Sequence, residues 1–380
     1  MEEWKRYKLE ELTIDGKGHY GIGAPAIDYD DSKYTYLRIT DINDDGTLNY
    51  SGLKSVDDPE ASKYLLKEGD IVFARTGNST GRTYYYEPDD GQFVYAGFLI
   101  KFSLDPQKVN PRYLKYYTHS KLYYDWVQSF DTGATRGNIN AQTYGAMQIL
   151  IPSRNVQDRL VDILSVIDNK IKLNNRINHN LEEQADMYLG AISQTYSSRT
   201  QSLSNICCYV NEKCNSSILT PHNYISTENM RPNREGIVEA SSIPDFKCTK
   251  YIYGDTLISN IRPYFKKIWF ASQTGGCSND ILCFRSTNNT PSFLYHLLRS
   301  DKFFDFVMTG AKGSKMPRGD KKQIMTWQVP EVPSNVLSQI EGFLEKIDEQ
   351  IIAKATENCV LELTRNYLLP ELLKENNILN

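Results

Sequence analysis

The chain has 380 residues, a formal net charge of −4, 40% hydrophobic and 24% charged residues. That length is more than one ordinary core and sets an expectation of two domains, and no run approaches the ~20 apolar residues of a membrane span. The acidic balance excludes a protein that coats DNA indiscriminately, because neutralising phosphates requires a positive surface.

The N-terminus, Met1-Glu-Glu-Trp-Lys-Arg-Tyr, has no apolar leader core and reads as cytoplasmic. Acidic residues gather early, at Asp28, Asp30, Asp31, Asp44, Asp45, Asp57 and Asp58. Short β-rich runs follow, among them Gly69-Asp70-Ile71-Val72-Phe73-Ala74 and Phe98-Leu99-Ile100-Lys101-Phe102, bounded by Gly, Asp and Asn turns that mark strands. From Tyr113 to Val127 aromatic and apolar residues recur at helical spacing, and the positions Tyr113, Tyr123 and Trp126 are assigned to core packing. A final strand, Gln148 to Pro152, precedes a long amphipathic helix on Leu160, Ile163, Leu164, Ile167, Ile171, Ile177, Leu181, Ala185 and Tyr188.

The second half repeats this order. Pro111-Arg-Tyr-Leu aligns with Pro291-Ser-Phe-Leu, Tyr123-Tyr-Asp-Trp-Val with Phe303-Phe-Asp-Phe-Val, and Ile167-Asp168 with Ile347-Asp348, at a steady offset of about 180 residues. Such an offset is a domain-scale duplication and not a solenoid period. Glu68-Gly-Asp-Ile-Val-Phe matches Tyr253-Gly-Asp-Thr-Leu-Ile with a small shift, and Phe293, Phe303 and Phe306 repeat the aromatic helix positions. The second long helix carries Val336, Ile340, Phe343, Leu344, Ile347, Ile351, Leu361 and Leu368. A helix of ~35 residues is ~50 Å long and needs a partner for its stripe. The expected partner is the other helix in an antiparallel coiled coil, where Asn174, Asn178, Lys354 and Asn358 either fix register or sit in a frayed seam.

The fold class is therefore α+β, a pseudo-two-fold duplication of two similar recognition domains separated by two long helices. The expected segments are a first domain over 1–152, a central helix over 153–196, a second domain over 197–332 and a C-terminal helix over 333–374.

Catalytic parts are missing. Asn110-Pro111-Arg112-Tyr113 lacks the second proline of amino-methyltransferase loops, and no glycine-rich strand-to-helix turn is present to hold adenosylmethionine. Arg75-Thr-Gly-Asn-Ser-Thr-Gly lacks the terminal Lys-Ser/Thr of a phosphate-binding loop, and Pro244-Asp245 has no nuclease-like acidic and lysine partners. The five histidines are scattered. The seven cysteines, Cys207, Cys208, Cys214, Cys248, Cys277, Cys283 and Cys359, contain no CxxC pair and read as reduced thiols, so no metal is expected.

Taken together, the Lys67-Glu-Gly-Asp-Ile-Val-Phe-Ala-Arg75-Thr-Gly77 element, the Gly133-Ala-Thr-Arg136-Gly-Asn-Ile139 loop, the duplicated halves and the long helices resemble the specificity subunit of a type I restriction-modification system. The resemblance covers residues 1 to 374; in the second half Gly254 to Arg262 and Met316-Pro317-Arg318-Gly319 depart from its pattern. It implies a non-catalytic subunit whose two target-recognition domains each read half of a bipartite site on double-stranded DNA. It also implies two methylation subunits, which carry S-adenosylmethionine, and restriction subunits that join them. No cofactor is expected on this chain, and no membrane partner.

Base-edge reading in the major groove needs donors and amides on loops held by a rigid scaffold, with Arg suited to guanine and Asn to adenine. The first loop offers Arg75, Thr76, Asn78, Ser79, Arg82 and Tyr84; its counterpart offers Asn260, Arg262, Tyr264, Lys266 and Lys267. The alternative for either loop is an ordinary hairpin whose arginine pairs with a carboxylate. Arg136 and Asn138, with Lys312, Lys315 and Arg318 in the second half, are assigned to phosphate anchoring or to loop capping. Two competing functions are a protein scaffold with duplicated peptide-binding domains and a restriction enzyme with a hidden active site.

Overall fold

The computed structural model describes residues 4–50, 52–130 and 137–373. Eight α-helices occur among them: α1 (Pro111–Tyr117), α2 (Lys121–Gln128), α3 (Ala141–Gly145), α4 (Arg154–Thr195), α5 (Pro291–Leu298), α6 (Asp301–Thr309), α7 (Lys321–Ile324) and α8 (Ser334–Leu372). The chain gathers into two compact units, one of residues 1–171 with 359–380 and one of residues 172–358, so α4 and α8 each contribute a part to both.

In the first unit a four-stranded sheet runs in the order His19–Tyr20, Leu99–Ser103, Asp70–Ala74, Thr83–Tyr85, all antiparallel. A second sheet runs Ala26–Asp28, Lys54–Val56, Tyr34–Leu37, Phe93–Tyr95, its last pair parallel. Strand Asp70–Ala74 is wholly buried, and its alternation shows why. Ile71 and Phe73 pack with Tyr113, Leu114, Tyr123 and Tyr144 in the helical layer. Val72 and Ala74 face Leu37, Phe93 and Tyr95 of the other sheet. The domain is thus three layers deep, and a strand covered on both faces reads as a continuous apolar run.

The second unit repeats the plan. One sheet runs Cys207–Tyr209, Ile281–Ser286, Thr256–Ser259, Ile268–Phe270; the other runs Lys213–Cys214, Cys248–Tyr251, Gly275–Cys277, Tyr224–Ile225, again with a parallel last pair. Ile258, Leu282 and Phe284 pack toward the helices, while Leu257, Ile281 and Cys283 pack toward the other sheet.

The helix starts keep the offset of the duplication. Ser120 Oγ accepts the Tyr123 N–H and Ser300 Oγ the Phe303 N–H, each at 3.3 Å. Asn140 caps α3 through the Thr143 N–H at 2.9 Å, and Asp320 caps α7 through the Gln323 N–H at 3.2 Å. These caps satisfy donors that a helix N-terminus leaves open.

The Gly-Asp motif also has a structural cause. Gly69 and Gly254 hold φ of +87° and +86°, the left-handed region where a side chain is strained. The following aspartate closes the turn: Asp70 accepts the Lys67 N–H and Asp255 the Ile252 N–H, both at 2.8 Å. Each buried carboxylate is then matched by a cation, Lys101 at 3.3 Å in the first unit and Arg285 at 2.7 and 2.6 Å in the second.

Within the second unit α4 and α8 run antiparallel. Tyr188 stacks against Phe343, Asn178 Nδ2 donates to the Ile351 carbonyl, and Asn174 Nδ2 donates to Asn358 Oδ1 at 2.9 Å. Asn358 donates in turn to Asn175 Oδ1 at 2.7 Å. Asn174 and Asn358 are therefore buried and bonded to each other across the seam, while Asn178 and Lys354 are half-buried and Lys354 pairs with Glu357 of its own helix. In the first unit Leu160, Val161 and Leu164 of α4 share a core with Leu369 of α8. Among the described residues no helix is long and apolar enough to cross a membrane.

Candidate nucleic-acid interface

The turn between strands Asp70–Ala74 and Thr83–Tyr85 is held from below by two tyrosines. Tyr144 donates its hydroxyl to the Ala74 carbonyl at 2.9 Å and Tyr123 to the Gly81 carbonyl at 2.7 Å. Tyr123 and Tyr144 are thus core residues that fix the height of the loop; of the expected core aromatics Tyr113, Phe293 and Phe303 are also buried, Trp126 packs partly buried against the core, and Phe306 is only half-buried and outside it. Gly81 has φ of +88° and Val127 already fills the space of a Cβ, at 2.5 Å. From the far side Thr80 Oγ1 donates to the Gly137 carbonyl at 3.0 Å and the Ile139 N–H to the Arg75 carbonyl at 3.0 Å.

On this frame Arg75 lies over the Tyr20 ring, 5.0 Å from its centroid, with Nε 3.4 Å from Asn138 Oδ1. Arg75 follows the end of strand Asp70–Ala74 and Asn138 lies in the segment before α3, so residues far apart in sequence stand side by side. Thr76 is half-buried and Asn78 exposed, at a turn where Gly77 takes φ of +72°. Arg82 is occupied: its Nε donates to Asp44 at 2.7 Å and Nη1 to the Ile42 carbonyl at 3.0 Å, the carboxylate pairing that the hairpin alternative describes. Ser79 and Tyr84 correct the expected set, because both are buried. Strand alternation sends Tyr84 between the sheets, where its hydroxyl donates to Asp90 at 2.9 Å, and burial raises its pKa far above the phenol range. Arg136 lies outside the described residues.

The counterpart turn in the second unit joins Thr256–Ser259 to Ile268–Phe270. Asn260 Oδ1 and Arg262 Nε are buried without a hydrogen-bond partner among the described residues. Tyr264 is exposed. Lys266 is ion-paired to Asp301 at 2.6 Å, and Lys267 donates to the Thr227 carbonyl at 2.6 Å, half-buried, with desolvation lowering its pKa. Hydrogen bonding by Lys266, then by Arg234, pulls the Asp301 pKa down to about 2. The segment 312–318 joins this turn: Ile261 pairs with Arg318, and the Arg262 N–H donates to the Pro317 carbonyl at 2.8 Å. Lys315 is exposed there, and Arg318 reaches Asp280 at 3.1 Å. Lys312 pairs with Asp320 at 2.9 Å.

A third loop, 231–236, was missed by the reading of the sequence. Its Asn233 N–H donates to the Phe265 carbonyl at 2.8 Å, its Arg234 N–H to the Lys266 carbonyl at 3.1 Å, and the Arg234 guanidinium meets Asp301. Pro232-Asn233-Arg234-Glu235-Gly236, a turn signature preceded by Arg231, was the available signal. Among the described residues no group of three or more His, Cys, Asp or Glu side chains could hold a metal ion, and Cys207, Cys208, Cys214, Cys248, Cys277 and Cys283 form no disulfide.

Two similar three-layer domains, each presenting one arginine-bearing turn from its central sheet, define a duplicated module. Residues 1–183 match the family model of the type I restriction modification DNA specificity domain. Over 193 residues it is 24% identical to the type I restriction enzyme HindI specificity subunit of Haemophilus influenzae, a match covering 49% of this chain and 39% of that protein's length. The crystal structure of a type I restriction-modification S subunit from M. genitalium shares the fold, with a TM-score of 0.56, 16% identity, and coverage of 98% of this chain and 97% of that one.

Proposed function

We propose that the chain is the DNA-recognition subunit of a type I restriction-modification complex, reading a bipartite site with one turn per domain. The observation that carries the reading is the pairing of likeness and difference between the units. Both place a strand-to-strand turn on the same buried Gly-Asp strand, yet the turns carry different side chains: Arg75, Thr76 and Asn78 in one, Arg262, Tyr264 and Phe265 in the other. A fixed scaffold with divergent tips suits two different half-sites on one DNA.

The chain itself is non-catalytic in this account and works in the cytoplasm. Two methylation subunits bring S-adenosylmethionine and supply much of the phosphate grip that a chain of net charge −4 lacks, and restriction subunits complete the nuclease. The test is binding by the reconstituted methylating complex at fixed salt to target and to scrambled DNA. Site-dependent affinity supports the account, and equal affinity for both overturns it.

A further inference from the structure

Among the described residues five non-glycine residues have positive φ, and four of them, Asn233, Arg234, Arg262 and Lys266, meet in one place. Arg262 and Lys266 bracket the short turn Pro263–Phe265, both in the left-handed region. Loop 231–236 clamps that turn through the Phe265 and Lys266 carbonyls, and segment 312–318 holds the Arg262 N–H. Backbone conformations of this kind persist only where the surroundings over-determine them, and they gather at ligand clamps.

What the clamp holds outward is a pair of aromatic rings. Tyr264 and Phe265 are 47% and 37% exposed, with centroids 4.8 Å apart and planes inclined by 54°. Folding alone favours burying such rings. Lys267 Nζ is 6.0 Å from the Phe265 centroid, Arg262 opens the turn that carries both rings, and the segment whose Pro317 carbonyl accepts the Arg262 N–H also carries the exposed Lys315 and Arg318, the latter paired with Asp280. An aromatic tip on a turn that carries Arg262, Lys266 and Lys267 complements stacked bases between phosphates, since a base has an apolar face and its backbone is anionic. The matching tip in the first unit, Gly77 and Asn78, carries no ring.

We propose that Tyr264 and Phe265 are an apolar wedge that enters the base stack of the half-site read by the second domain. Apolar side chains pushed between base pairs unstack and kink the duplex, and pyrimidine–purine steps yield most readily. The second domain then selects its half-site partly by deformability, with the wedge at such a step, while the first domain relies on polar contacts. This inference rests on the DNA-recognition reading above.

The test uses the full chain assembled with its methylation subunits and target DNA carrying 2-aminopurine at successive positions of each half-site, away from the methylated adenine. The wedge predicts increased fluorescence at one step of one half-site only, lost in Tyr264→Ala/Phe265→Ala and retained in Tyr264→Trp. It also predicts target affinity on the order of tenfold lower in the double variant. An unchanged fluorescence profile and affinity in the double variant overturn it, as does loss of subunit assembly with DNA affinity of the assembled fraction intact, which would place the rings against protein. Selective binding by the wild type without any unstacking overturns the wedge alone, whereas equal binding to target and scrambled DNA overturns the recognition reading beneath it.

Discussion

His296 Nε2 lies 3.0 Å from Asp348 Oδ1, with both side chains buried. The first unit has the same relationship 180 residues earlier, where the Tyr116 hydroxyl donates to Asp168 at 3.0 Å. In each case a short domain helix is tied to a carboxylate on a long one, and the duplication kept the geometry while changing the donor. Asp348→Ala leaves a buried imidazole without its partner and is expected to cost about 1–3 kcal/mol. His296→Tyr reproduces the first unit's pair and should cost less. Urea unfolding of the two variants checks the order, and a larger loss in His296→Tyr contradicts it.

The Asn174–Asn358 hydrogen bond predicts strong coupling between the helices of the second unit. Either single change to Leu leaves the other amide poorly paired and should destabilise by about 1–3 kcal/mol, whereas the double change to Leu should be near neutral or stabilising. A double-mutant cycle measures the difference directly. Simple additivity of the two losses would show that the asparagines do not act as a pair.

Acid sensitivity should arise in part from His119. Burial pushes its imidazole pKa down to about 4, with Asp45 opposing the shift. The folded-state pKa lies below the unfolded value of ~6.5, so the unfolded chain binds the proton better. The contribution to stability is therefore complete above ~6.5 and is lost as pH falls toward about 4. The ring keeps some solvent exposure, which makes the loss smaller than for a sealed imidazole. His119→Gln should flatten the stability profile between these limits; an unchanged slope in pH-dependent melts would remove His119 as its source.

Opposite signs are expected for two glycine-to-alanine changes. Gly254 has φ of +86° and a Cβ there would sit 3.2 Å from Pro291, so Gly254→Ala should destabilise by ~1–2 kcal/mol. Gly190 lies within α4 with open space around its Cβ position, so Gly190→Ala should stabilise by ~0.5–1 kcal/mol. Thermal melts of the two variants compare them directly.

The legible part of the fold was whatever local sequence dictates. The Gly-Asp turns, the all-apolar strand at Ile71–Ala74 and the two long stripes each follow from neighbours along the chain. Burial of Tyr84 was not legible, because it depends on which face of strand Thr83–Tyr85 meets the second sheet, and that of Ser79 depends on how the short turn Gly77–Ser79 folds back on the domain. The same holds for Arg82, whose partner Asp44 comes from a loop 38 residues away, and for the 231–236 clamp, whose bonds to the turn at 265 and 266 cross the whole domain. Long-range pairing made by loops leaves no period in the sequence to read.

Methylation sequencing of cells expressing the chain or its Arg75→Ala and Arg262→Ala variants tests the central claim most directly. The account predicts a two-part methylated motif in the wild type, relaxed in one half by Arg75→Ala and in the other by Arg262→Ala. Each lost base contact should reduce discrimination by ~1–3 kcal/mol at the position it reads. A motif left intact by both variants, or altered in the same half by both, would contradict a chain that reads one half-site with each domain.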